Sequence, residues 1–162
     1  MKQLMKKMVL LVALCMIAMT VVYAQEKSSV EIKVNELVQK YENVNGVDCI
    51  TVVKGAGLGM VKTMLNAQFG KDFMKGVTAI TIIDYSDASQ ETCIALRKEL
   101  DIFKFMLEEF DVGKENDFAD DEYVRSFAAV SDDAPIVSDF IIAVENKDSK
   151  MIMYMAGKIK VD

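Results

Sequence analysis

The stretch IVSDFIIAVENKDSKMIMYMAGKIKV, residues 136–161, decides the fold. It reads as two strands, Ile136 to Asn146 and Lys150 to Val161, joined by Asn146-Lys147-Asp148-Ser149, a turn so short that the strands must be antiparallel neighbours. A third strand, near Glu122 to Ser131, precedes them through Asp132-Asp133-Ala134-Pro135, which makes a C-terminal β-meander. In the last strand Met151, Met153 and Met155 share the parity of Ile159 and Val161, while Lys150, Tyr154, Lys158 and Lys160 hold the other. This alternation predicts that Met153 faces a helix layer and that Tyr154 stands on the uncovered face.

Upstream the hydrophobic period changes. Val34, Leu37, Val38 and Tyr41 recur at helical spacing, which predicts a helix over Val34 to Val44 ending at Asn45-Gly46. Val47 to Val53 follows as a strand, then a helix through Leu58, Val61, Met64, Leu65 and Phe69, then the β-branched strand Val77 to Tyr85. Asp87 to Glu91 opens a longer helix whose stripe is Cys93, Leu96, Leu100, Phe103 and Leu107; Glu108 to Val112 is either its last turn or a short strand. The strand-helix-strand unit predicts a parallel pair with a right-handed crossover. Together these elements predict an α+β domain, with a single layer of helices packed on a mixed, mainly antiparallel β-sheet that ends in the meander.

The first 24 residues belong to a different physical class. Lys2, Lys6 and Lys7 precede the uncharged apolar run Met8 to Val22, and Val22-Tyr23-Ala24 has the small-residue pattern of a cleavage site, so residues 1–24 read as a signal peptide and 25–162 as one domain. The run is shorter than the roughly 20 residues that span a bilayer, and the mature chain offers no transmembrane segment. Acylation at Cys15 is disfavoured because Leu14 occupies the position where a small residue is wanted. The expected location is the periplasm or cell envelope.

Removing residues 1–24 takes away three lysines and no acid, which moves the formal net charge from −6 to −9 and argues against a nucleic-acid partner. The 162 residues contain no histidine, so Ser-His-Asp and Cys-His nucleophiles and imidazole metal sites are excluded. Cys49 and Cys93 remain after cleavage, and their setting suits either two buried thiols or a disulfide.

The order of a signal peptide, Val-Asp-Cys-Ile-Thr-Val-Val (Val47 to Val53), a methionine-rich helix, Thr-Ala-Ile-Thr-Ile-Ile (Thr78 to Ile83), a charged helix and Met-Ala-Gly-Lys-Ile (Met155 to Ile159) resembles small exported proteins of Bacteroidetes grouped as a domain of unknown function. The resemblance covers most of the mature chain. It implies a fold layout and an envelope location, and no functional residue. The acidic segment Lys114 to Asp121 is looser than that pattern.

Three constellations bear on chemistry. Gly55-Ala56-Gly57-Leu58-Gly59 lies between strand and helix, but its spacing fits neither a dinucleotide fingerprint nor a P-loop, so its glycines are read as permitting a tight turn and close helix packing. Met151, Met153 and Met155 would present three thioethers to Cu(I), yet their parity with Ile159 and Val161 is that of a core-facing strand. Asp117, Asp120, Asp121 and Glu122 lack calcium-loop spacing and read as a solvated charge run. No catalytic residue, metal site or cofactor is assigned. The leading function is a non-catalytic binding protein for an envelope protein or peptide, with Tyr123, Phe127 and Tyr154 as the aromatic partner-binding residues of the uncovered face. The alternative is a carboxylate-dependent hydrolase or isomerase built on Asp84, Tyr85 and Asp87 at a strand end.

Overall fold

In the computed structural model, residues 27–53, 55–69, 72–110, 123–130 and 136–160 are described. The segment 1–24 that the sequence predicts to be a signal peptide, the acidic run at Asp117, Asp120, Asp121 and Glu122, and the predicted turn before Ile136 lie outside them.

The first helix, α1 (Ser29–Tyr41), begins before the apolar stripe that predicts it, because Ser28 caps it: the Ser28 hydroxyl accepts the Glu31 backbone N–H at 3.0 Å. Glu31 in the first turn and Lys40 in the last complement the helix dipole. Its stripe of Val30, Val34, Leu37 and Tyr41 is buried. Strand β1 (Asp48–Val53) leads into α2 (Ala56–Phe69), and β2 (Gly76–Asp84) into α3 (Gln90–Leu100), which is capped by the Ser89 hydroxyl on the Thr92 N–H. The expected long helix stops at Leu100 and tightens into a 3-10 turn, Asp101–Phe105, still carrying Phe103 into the core. Glu108–Phe110 is then a short strand, β3, which resolves the ambiguity of that segment. Strands β4 (Tyr123–Val130), β5 (Ile136–Glu145) and β6 (Lys150–Lys160) form the C-terminal run.

The fold is α+β, and the sheet order is β1-β2-β6-β5-β4-β3. All five pairings among the described strands are antiparallel, so the mixed sheet is corrected to an antiparallel one. The parallel crossover is absent because α2 does not carry the chain across the sheet. Leu58 packs with Val77, Ile80, Met155 and Ile159 near the end where β1 leaves, and the chain re-enters from that end, pairing Val53 with Ala79.

The helices also divide between the faces, which corrects the single layer. One face lies under α1, α3 and the 3-10 turn, with Leu37, Leu96, Leu100 and Phe103 packed on Ile83, Phe127, Ile141 and Tyr154. The other carries Leu58 of α2 and Met74 over Ile80, Ala128, Val137, Met155 and Ile159. Met155 and Ile159 therefore share a side as their parity predicts, but the larger helix layer covers Tyr154 instead of the methionines. A bulge helps set this arrangement: β2 shifts register between Val77 and Ala79 against β6. Gly76 and Gly157 let the strands close there, since Gly157 has φ +102° and a Cβ on it would stand 2.3 Å from the Gly76 carbonyl oxygen.

Two polar networks pin the helices to the helix-covered face. Glu145, only 4% exposed, accepts the Tyr85 hydroxyl at 2.8 Å and the Arg97 guanidinium through Nε and Nη2. Asp139 sits at a β5 register shift with φ +51°, a conformation aspartate tolerates better than most side chains. Its carboxylate accepts the Tyr154 hydroxyl at 2.6 Å and the Ser28 hydroxyl at 2.9 Å, tying the start of α1 to the sheet. Cys49 and Cys93 are free thiols.

Candidate functional site

Opposite the α1 and α3 layer, one row of residues runs in register across all six strands: Ile50, Ile82, Met153, Ile142, Ser126 and Phe110. No described helix other than α2 contributes to the core on this side, and α2 packs over the neighbouring row, with Gly57 close enough to β1 that a Cβ on it would stand 3.4 Å from a Val52 methyl group. Ile50 is 56% exposed and Phe110 37%, while Ile82, Met153 and Ile142 are half-buried. Ser126 is buried and donates its hydroxyl to the Phe110 carbonyl at 2.8 Å, which removes the row's one polar group from solvent. The adjoining row, Asp48, Asp84, Met151, Val144 and Val124, is apolar in its centre and acidic at the β1–β2 end.

The charged strand residues of this face are of one sign. Its charged strand residues among those described are Asp48, Asp84 and Glu108, all exposed acids, because Glu108 pairs with Ala128 on the same side. The cations turn away: Arg125 bonds Glu109 and Asp101 on the helix-covered side, and the Lys150 amine lies 3.7 Å from the Cys93 sulfur. The Asp84 carboxyl is held below its ordinary range by the Ser86 backbone N–H and hydroxyl, so this acid keeps its charge. An apolar strip edged by fixed negative charge can dehydrate apolar side chains and attract cationic ones.

The three aromatics singled out in the sequence all lie on the opposite, covered face, which corrects their assignment as a partner surface. Phe127 and Tyr154 flank Ile141 in one register row and are 0% and 2% exposed. Tyr123 is half-buried beneath Arg97, whose guanidinium stands 5.0 Å from the ring centroid. Both faces of the meander are apolar, so alternation alone does not say which one the helices cover. The missed face was visible as runs without strict alternation, Ile80 to Ile83 and Phe140 to Val144, the mark of strands covered or contacted on both sides.

The residues of the hydrolase alternative do not converge. Asp84 stands on the open face and spends its carboxylate on Ser86, whereas Tyr85 is fully buried on the other side and donates to Glu145. Burial first, and the Glu145 hydrogen bond second, push the Tyr85 phenol far above its ordinary range, which unfits it as a base. Two concavities among the described residues lie elsewhere: an apolar void of about 10 Å³ beneath α1 is too small for a ligand, and an open groove of about 370 Å³ runs along Lys104 to Glu108 and Ala128 to Val130. Among the described residues no three Cys, Asp or Glu side chains gather as a metal cluster, and no helix is long and apolar enough to cross a membrane. Compared with family models, with curated proteins and with solved structures, the chain matches none of them.

Proposed function

We propose that the protein is a non-catalytic binding module of the periplasm or cell envelope, and that its open sheet face takes a basic, amphipathic segment of an envelope protein or peptide. The observation that carries this reading is the apolar row from Ile50 to Phe110 beside the acids Asp48, Asp84 and Glu108. Apolar contact supplies the affinity and the acids select a segment bearing lysine or arginine. The envelope location rests on the sequence of residues 1–24, a basic start, a 15-residue apolar run and Val22-Tyr23-Ala24.

N-terminal sequencing of the protein from the envelope fraction is expected to begin at Gln25; a chain retaining Met1 in the cytoplasm rejects the location. For the face, a labelled amphipathic peptide of leucine and lysine is titrated by fluorescence anisotropy against its leucine–glutamate counterpart. The lysine peptide is expected to bind at least about tenfold more tightly, a difference of roughly 1.4 kcal/mol. Ile142→Lys, on the open face, is expected to abolish the preference. Equal binding of both peptides, or binding that Ile142→Lys leaves intact in a folded protein, rejects the face.

A further inference from the structure

The two edges of the sheet are unlike, and the difference concerns what can add to them. At one edge, β3 is three residues long and two of them are exposed glutamates, a short charged edge of the kind that resists strand addition. At the other, β1 carries six residues, Asp48 to Val53, with no lysine, proline or bulge, and pairs with β2 in unbroken register. No described strand pairs with its outer edge, where Ile50 is 56% and Val53 61% exposed and Thr51 is exposed as well. An edge of this length presents unpaired backbone N–H and C=O groups to any strand that fits.

We propose that the occupant is a second copy of this chain, bound through antiparallel pairing of the two β1 edges about a two-fold axis through Thr51, to give one continuous twelve-stranded sheet. The strand is self-complementary in that register. Thr51 stands across from its own copy, Ile50 across from Val52 on the open face, and Cys49 across from Val53 on the helix-covered face, so every opposed pair keeps to one side. Shifting the axis to Ile50 would instead set the Asp48 carboxylate against Val52. Charge specifies the direction too: in-register parallel pairing would set the Asp48 carboxylate beside its own copy, whereas antiparallel pairing sends the two to opposite ends of the contact. The two Asp48 carboxylates are kept roughly 20 Å apart, at 3.3 Å per residue. A two-fold, isologous contact closes on itself and leaves only the short, acidic β3 edges at the ends of the assembly.

This inference is independent of the peptide-binding reading and is tested without any peptide. Size-exclusion chromatography with light scattering on the purified protein is expected to give the mass of a dimer. Ile50→Lys, at an exposed position and checked for folding by circular dichroism, is expected to raise the dissociation constant about tenfold or more. Thr51→Cys in a Cys49→Ser background is expected to form a covalent dimer on mild oxidation, because opposed antiparallel residues have Cα atoms about 4.5–5.5 Å apart, within the roughly 4.4–6.8 Å that a disulfide spans. Should Ile50→Lys fail to fold, Thr51→Arg replaces it. A monomer mass at every concentration up to roughly 100 μM, a range covering ordinary specific association, overturns the proposal. So does a dimer that persists in the charged variant, or a Thr51→Cys protein that stays uncrosslinked.

Discussion

Tyr154→Ala is expected to lower the unfolding free energy by about 3–5 kcal/mol, the range for emptying the site of a large buried aromatic. The ring is 2% exposed and packs in the main core under α1 and the 3-10 turn. Met153→Ala, one residue away on the half-open face, is expected to cost only about 1–2 kcal/mol, in line with partial burial of its side chain. Tyr154→Phe isolates the hydroxyl. Losing its hydrogen bond to Asp139 is expected to cost about 1–2 kcal/mol while the Ser28 bond to the same carboxylate survives. Urea unfolding of the three variants ranks them, and a larger loss for Met153→Ala than for Tyr154→Ala would show that β6 presents the opposite parity to the helices.

Glu145→Ala is expected to cost about 2–3 kcal/mol. Removing one member of a buried ion pair costs roughly 3–5 kcal/mol, but Arg97 is 47% exposed and regains water, which lowers the figure. The Tyr85 hydroxyl, fully buried, does not. Burial pushes the Glu145 carboxyl upward, yet the Arg97 and Tyr85 hydrogen bonds outweigh it and hold the group below the ordinary glutamate value of 4.5. A folded-state value below the unfolded one means that the stabilisation is complete above about pH 4.5 and is lost as the pH falls through the folded-state value. The Arg125 hydrogen bond lowers Glu109 in the same direction. Glu145→Gln preserves shape and removes the titration, so the protein should be less stable at neutral pH and its stability should fall less steeply below about pH 4.5. Unfolding measured from neutral pH to about pH 3 checks this; identical slopes for wild type and variant would remove Glu145 as a source of acid sensitivity.

The elements themselves were legible because each is marked by local chemistry. Gly76 and the β-branched run fix β2, and Asn146 fixes the last turn, where its side-chain oxygen accepts the Asp148 and Ser149 N–H groups. Ser28 with Glu31 was a readable capping pair and places the start of α1 ahead of its apolar stripe. The candidate site was less legible. Tyr123, Phe127 and Tyr154 stand out by type, but type gives no side: an amphipathic phenol can lie on an open face or under a helix with its hydroxyl on a buried carboxylate, and Asp139, fifteen residues from Tyr154, supplies that carboxylate.

By itself the sequence determined the order and type of the strands and helices, the α+β class, the antiparallel meander, the acidic charge and the lack of histidine chemistry. All of these follow from local periodicity, turn residues and composition. Only the tertiary structure decided that β1 and β2 run antiparallel, that α2 leaves the other helices for the opposite face, and that Tyr154 instead of Met153 lies beneath the main layer. The reason is physical: β2, β5 and β6 are apolar on both sides, so burying either side satisfies the local pattern. The choice falls to contacts far apart in the chain, Leu58 on Met155 and Ile159, and Tyr85 and Arg97 on Glu145, which no local period encodes.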